Sequence, residues 1–247
     1  MGKLWDRIRG IRDKHRPFCT AIIAAAGRSE RMNGENKLFM DLAGAPVLMR
    51  TLCAMDQAML VDEIIVATRE DLLLDVADLC SRAAIRKPVR VVKGGSSRTE
   101  SVLAAATEAD PRSELLAVHD GARPLVRPEE IDELIRQGGS TYAVAPAVPL
   151  TDTVKVVDEN NRVTATPDRS TMLAVRTPQV FQADILKAAL KSALDAGVEL
   201  TDDCAAVERL GKEVYLTPGD PENIKITTPF DLIVAAAILE KRGREPR

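Results

Sequence analysis

Ala24-Ala25-Ala26-Gly27-Arg28-Ser29-Glu30-Arg31-Met32, with Asn36-Lys37 close behind, ends the first strongly apolar run of the chain, residues 20–26. A short apolar run closed by small residues reads as a buried strand entering a turn. Small side chains at Ala25, Ala26 and Gly27 let a phosphate approach backbone N–H groups, and Arg31 and Lys37 supply countercharge. No Gly-Lys-Ser/Thr closes the loop as in a P-loop, and the three-glycine dinucleotide fingerprint is absent. The stretch reads as a nucleotide or phosphate loop after strand one, with a plain surface turn as the competing reading.

Outward from this loop, strand-like and helical stretches alternate. Residues 63–68, 89–93, 115–119 and 142–148 are short, apolar or β-branched, and bounded by turn residues. Between them, 47–58, 71–83, 99–109 and 128–137 carry helical periodicity, the last opened by Pro128-Glu129-Glu130. This alternation predicts an α/β fold, a doubly wound, mostly parallel sheet covered on both faces. Ligands of such sheets gather at the carboxyl ends of the strands. The pattern breaks between residues 150 and 175, where alternating segments 153–157 and 162–166 flank Asp158-Glu159-Asn160-Asn161. That is a hairpin signal, and the hairpin is expected to protrude as an arm that gains stability against another subunit. Helices over 183–195 and 202–211, strands over 213–216 and 223–226, and a closing helix from Pro229 complete the expected fold.

The 247 residues suit one large domain over 19–241, carrying the arm at about 150–171 and a short tail at 242–247. A net charge of −3 gives no general reason to expect nucleic acid, so any anion site must come from local clustering. No apolar run is long enough to span a bilayer. Cys19, Cys53, Cys80 and Cys204 are scattered without paired ligand spacing, which reads as reduced thiols in a cytoplasmic protein rather than a zinc site. Residues 1–18 form a basic extension with Leu4, Ile8 and Ile11 at helical spacing. It lacks the continuous apolar core of a secretory signal and stands outside the fold argument.

Three further clusters fall at expected strand ends. In Lys93-Gly94-Gly95-Ser96-Ser97-Arg98-Thr99-Glu100-Ser101, Gly94 and Gly95 permit backbone approach to a flat ligand such as a base, and Ser96 and Ser101 add polar groups; a serine-capped turn is the alternative. In His119-Asp120-Gly121-Ala122-Arg123-Pro124, Asp120 is a natural Mg²⁺ ligand and Arg123 can hold an anion in bidentate fashion, whereas His119 reads as structural. In Asn223-Ile224-Lys225-Ile226-Thr227, a lysine between apolar neighbours needs an anion to meet, unless it merely guards an edge strand.

Taken together, these clusters with Gly94-Gly95…Arg98…Ser101-Val102, Asp152-Thr153-Val154-Lys155, Asp168-Arg169, Thr177-Pro178-Gln179-Val180-Phe181 and Thr201-Asp202-Asp203 resemble the 2-C-methyl-D-erythritol 4-phosphate cytidylyltransferase family. The resemblance spans nearly the whole chain after the extension. It implies a Rossmann-like nucleotidyltransferase that acts as a homodimer in non-mevalonate isoprenoid synthesis, with the arm reaching into the partner. The implied reaction transfers a cytidylyl group from CTP to a polyol phosphate with Mg²⁺, releasing pyrophosphate. By the same resemblance Arg31 and Lys37 clamp the triphosphate, and Asp120 serves Mg²⁺ and substrate. Gly95, Ser96 and Ser101 surround cytosine and ribose. Arg123, Thr177 and Lys225 face the acceptor, and Arg169, with Thr153 near it, arrives from the other subunit. The chain departs from the family pattern at Ser29, Ser96 and Leu173.

The residues suit that chemistry. A phosphate dianion attacking an anionic α-phosphate needs charge neutralisation and positioning more than proton transfer. Arg31, Lys37, Lys225, Arg123 and Arg169 meet that need. The alternatives are a ribitol 5-phosphate cytidylyltransferase or a non-catalytic nucleotide-binding module; an oxidoreductase is disfavoured by the missing glycine pattern.

Overall fold

The computed structural model describes residues 16–27 and 36–244. Alternating strands and helices build one central sheet. Its strands are β1 (Phe18–Ala25), β4 (Glu63–Thr68), β5 (Val89–Lys93), β6 (Ser113–Asp120), β7 (Ala143–Pro149), β10 (Leu173–Val175), β11 (Gln179–Gln182) and β12 (Val214–Pro218). Two small antiparallel pairs lie outside it: β2 (Asp41–Leu42) with β3 (Ala45–Pro46), and β8 (Val156–Val157) with β9 (Val163–Ala165). The helices are α1 (Val47–Gln57), α2 (Leu73–Arg82), α3 (Arg98–Thr107), α4 (Pro128–Gly138), α5 (Ala183–Asp195), α6 (Asp203–Arg209) and α7 (Pro229–Arg244).

β5, β4, β1 and β6 are parallel neighbours, with Ile22 of β1 level with Ile65 and Val118. Consecutive side chains of a strand point to opposite faces, and the core divides accordingly. Ala21 and Ile23 pack with Leu48, Leu52, Met55, Ile131 and Leu134 of α1 and α4. Ile22 packs with Ile65, Val102, Leu116, Phe181 and Leu186 on the other face. Both faces are buried, as near-continuous apolar strands require.

The mostly parallel, doubly wound sheet expected from the sequence is present, with one reversal. β11 runs antiparallel to both β6 and β7, and β10 pairs antiparallel with the far part of β7. Between β10 and β11 lie Arg176, Thr177 and a cis-linked Pro178, and the Thr177 hydroxyl meets the end of β6, accepting the Asp120 N–H at 3.1 Å.

Two expectations need correction. Residues 223–226 are not a strand: Ile226 N–H donates to the Ala122 carbonyl at 2.8 Å, but no ladder forms. The flanking isoleucines that suggested a strand instead plug the segment into the core, Ile226 being fully buried. The arm hairpin is also shorter than 153–157 and 162–166, pairing only Val156–Val157 with Val163–Ala165. Its turn is held by Asp158, whose carboxylate accepts from the Asn160 and Arg162 N–H groups, and Asn161 takes a left-handed φ of 59°. The arm is exposed, with Val156, Val157 and Val163 facing outward.

Candidate active site

A cleft of about 490 Å³ opens at the carboxyl ends of β1, β4, β5 and β6. Its wall begins with Ala24 to Gly27, where β1 stops and small side chains leave the backbone accessible. Lys37 and Leu38 follow; the Asn36 side-chain carbonyl accepts the Leu38 N–H at 3.1 Å and shapes that turn. Arg31 lies outside the described residues.

The next strand end supplies Gly95, Ser96, Ser97, Arg98 and Ser101. Gly94 N–H donates to the Thr68 carbonyl at 2.7 Å, so Gly94 joins β5 to β4 behind the cleft rather than lining it. Ser97 is the N-cap of α3, accepting the Glu100 N–H at 3.1 Å. Ser101 sits one turn further on; its Oγ accepts the Gly95 N–H at 3.1 Å and donates to the Ser97 carbonyl at 2.8 Å. Ser96 is braced by the Glu100 carboxylate, which accepts both its N–H and its hydroxyl. A methyl group on Gly95 would stand 2.3 Å from Glu100 Cβ, so the turn needs glycine there.

Asp120 ends β6 at the centre of the site. Arg98 Nη1 stands 2.6 Å from one carboxylate oxygen, while Lys225 Nζ at 3.0 Å and Arg123 Nε at 3.1 Å share the other. Burial opposes ionisation of Asp120, but the charges of Arg98, Lys225 and Arg123 outweigh it and hold the carboxyl well below the usual range. Arg98 also clasps Asp203, at the start of α6, through Nε at 3.1 Å and Nη2 at 2.8 Å. Asp203 is only 1% exposed, and burial pushes its carboxyl up against the pull of Arg98.

Behind Asp120 lies a fully specified chain of hydrogen bonds. Asp120 N–H donates to Thr177 Oγ1 at 3.1 Å. The Arg123 carbonyl can only accept, so His119 Nε2 carries the ring proton and donates to it at 3.1 Å. Neutral Nδ1 is then the acceptor, and the Thr177 hydroxyl donates to it at 2.9 Å. Burial drives His119 down to about 4, so it is neutral here and structural, as expected from the sequence. Asn223 Nδ2 donates to the Thr177 carbonyl at 2.9 Å, tying the segment that carries Lys225 to the same framework.

The candidate residues thus divide. Ala25, Ala26, Gly27, Lys37, Gly95, Ser96, Ser101, Asp120 and Lys225 share the cleft, and Arg123 and Thr177 stand directly behind Asp120. Thr153 and Arg169 do not line this cleft in their own chain. Arg169 donates to the Thr151 carbonyl and borders a separate surface hollow with Pro149, Leu150 and Leu173. Sequence reasoning assigned no role to Arg98 or Arg69, both of which line the cleft. The signal for Arg98 was its place at the first position of α3, directly after a small-residue turn at a strand end. Arg69 follows β4 and is held by Asp71.

A divalent ion fits this donor set only in one form. Among the described residues no three His, Cys, Asp or Glu side chains gather around a point. Magnesium, however, takes one or two carboxylates and completes its shell with phosphate and water. Asp120 is the carboxylate of the cleft that could serve an ion arriving with a polyphosphate, in exchange for one of the three cations now on its oxygens.

Residues 19–241 match the family described as 2-C-methyl-D-erythritol 4-phosphate cytidylyltransferase. A curated protein of that name from Caldanaerobacter subterraneus subsp. tengcongensis is 44% identical over 90% of this chain and 99% of its own length. Another, from Symbiobacterium thermophilum, is 41% identical over 92% of this chain and 94% of its own. The crystal structure of 4-diphosphocytidyl-2C-methyl-D-erythritol synthase from Anaerococcus prevotii superposes with a TM-score of 0.81 at 32% identity, covering 92% of this chain and all of that one. The cytidylyltransferase structure from Thermus thermophilus gives 0.73 at 27% identity, covering 90% and 99%.

Proposed function

The chain belongs to the 2-C-methyl-D-erythritol 4-phosphate cytidylyltransferase family, and from that premise we propose that its cleft joins CTP to 2-C-methyl-D-erythritol 4-phosphate. The products are 4-diphosphocytidyl-2-C-methyl-D-erythritol and pyrophosphate. The observation that carries the assignment of roles is the convergence of Lys37, Arg98, Lys225 and Asp120 in one cleft beside the Gly95–Ser101 turn.

An acceptor phosphate oxygen attacks the α-phosphorus of CTP; that P–O bond forms as the bond to pyrophosphate breaks. The nucleophile is already ionised, so no general base is required, and neutral His119 is consistent with that. Lys37, with Arg31, offsets the triphosphate charge. Lys225 and Arg123, both already turned toward Asp120, offset the acceptor charge. Backbone groups of Ala25 to Gly27, Gly95 and Ser96, with Ser101, position the nucleotide, and Thr177 fixes the backbone of Asp120. Mg²⁺ carried by the CTP phosphates, with Asp120 as carboxylate ligand, would supply further charge neutralisation.

The functional unit in this reading is a homodimer in which the arm, about 150–171, delivers Arg169 and Thr153 to the partner's cleft. Exposed Val156, Val157 and Val163 on a two-stranded hairpin that is marginal alone support it. A cytoplasmic setting is supported by four free cysteines, two of them buried, and among the described residues no helix is long and apolar enough to cross a membrane. The decisive assay measures pyrophosphate release from CTP with 2-C-methyl-D-erythritol 4-phosphate or ribitol 5-phosphate, with and without magnesium. Turnover restricted to ribitol 5-phosphate would overturn the acceptor assignment. CTP binding without turnover on either would leave a binding module.

A further inference from the structure

The Asn223 carbonyl accepts two guanidinium groups at once: Arg123 Nη1 at 2.9 Å and Arg176 Nη1 at 2.5 Å. Arg123 also has Asp120 as ion partner. Arg176, half-buried, has no carboxylate within ion-pair distance among the described residues. Glu130 and Asp220 act on it only from further away, while burial and the neighbouring charge of Arg123 both press against its ionised form. Glu130 is itself engaged through one oxygen with the Asp220 N–H at 3.1 Å, its other oxygen being buried without a partner.

Around Asp120, then, Arg98, Arg123 and Lys225 face Asp120 and Asp203, three cations to two carboxylates, and Arg176 joins Arg123 on the Asn223 carbonyl with Glu130 and Asp220 acting on it only from further away. A fully buried Asn223 stands among them with its Oδ1 unpartnered. Like charges are not gathered on one neutral carbonyl for stability. A phosphate is a stronger partner for guanidinium than a carbonyl is, and two guanidinium groups suit its several oxygens. Arg176 also adjoins Thr177, which is bonded to the Asp120 backbone, so its position is fixed relative to the reaction centre.

We propose that Arg176 is a further acceptor-binding residue, which leaves the Asn223 carbonyl to grip, with Arg123, the phosphate of the incoming polyol ester. This rests on the cytidylyltransferase reading of the cleft. Steady-state kinetics of R176Q, R176K and E130Q against the wild type test it. R176Q should raise the KM for 2-C-methyl-D-erythritol 4-phosphate roughly 10- to 100-fold, the loss of one charge-assisted contact. The KM for CTP should stay unchanged, R176K should recover part of the loss, and E130Q should resemble the wild type. An acceptor KM within about twofold of wild type, in R176Q or in R176M should R176Q not fold, overturns the proposal. So does an E130Q variant that reproduces R176Q, because Arg176 would then serve Glu130. A second readout needs no turnover: inorganic phosphate should raise the melting temperature of the wild type more than that of R176Q or R176K, and equal shifts overturn the proposal. Absence of wild-type turnover would refute the reaction instead, and the phosphate titration would still judge Arg176.

Discussion

Replacing Arg98 by methionine keeps the length of the side chain and removes the charge that bridges Asp120 and Asp203. Arg98 is held by contacts of 2.6 Å to Asp120 and 2.8 Å to Asp203, and its side chain is 24% exposed while theirs are 8% and 2%. Breaking a buried ion pair from one side costs on the order of 3–5 kcal/mol, because the other charge stays buried without compensation. Asp120 retains Lys225 and Arg123, so most of the penalty falls on Asp203. At this chain length about 1 kcal/mol moves the midpoint by about 2–4 °C, so the variant should melt roughly 6–20 °C below the wild type at pH 7. The pH dependence identifies the carboxylate. Asp203 has a raised folded-state pKa, so ionising it destabilises the fold, and that penalty is relieved as pH falls through the folded value. Losing Arg98 raises that value further, so the variant should regain part of its deficit as the pH falls from 7 toward the unfolded value near 3.8. Asp120, whose folded value is depressed, contributes stability that is lost only at lower pH, below its unfolded value near 3.8. Thermal scans of R98M and R98M/D203N across this range test the reasoning. A melting point within about 2 °C of wild type, below 1 kcal/mol by the same conversion, would refute it. So would a deficit that neither acid nor D203N reduces.

Lys225→Ala should lower turnover by on the order of 10²–10³, as loss of one preorganised charge does, with the melting point nearly preserved; a folded K225A with near-normal pyrophosphate release would remove Lys225 from the mechanism. His119, pushed down to about 4 from 6.5, binds fewer protons folded than unfolded between those values. Its contribution is therefore complete above pH 6.5 and falls by roughly 3 kcal/mol toward pH 4, a slope that H119Q should flatten in denaturant titrations. Gly95→Ala drives a methyl group to 2.4 Å from Glu100 Oε2 and disrupts the brace on Ser96. It should cost about 1–3 kcal/mol and raise the KM for CTP, and unchanged CTP kinetics would show that this turn does not meet the nucleotide. Deleting residues 153–166 should give a monomer without activity, by sedimentation and pyrophosphate assay; an active dimer would refute the role given to the arm.

Much of this architecture is legible from residue patterns because strand and helix differ in apolar period and small residues mark strand ends. Ala24 to Gly27, Gly95 and Asp120 were found that way, each at the carboxyl end of a parallel strand. Strand direction is different. Gln179-Val-Phe-Gln is four residues long, and nothing in its period says that it runs against β6 and β7. Lys225 was placed in a strand because isoleucines flank it, yet Ile226 is buried by a loop crossing the Ala122 carbonyl. Arg98 stands in a legible turn but has no role legible there, because its significance depends on Asp203, brought near only by packing of α6 beside the sheet. Long-range ion pairs of that kind leave no local trace.

Asn223 and Lys225 come from the last tenth of the polypeptide, yet they complete a cleft whose first wall is β1. A chain still emerging from the ribosome carries the small-residue loop and Asp120 long before it carries the lysine that joins them. The ion-pair cluster around Asp120 is therefore closed by the final segment to be made, Lys225 reaching Asp120 at 3.0 Å and Asn223 bonding the Thr177 carbonyl.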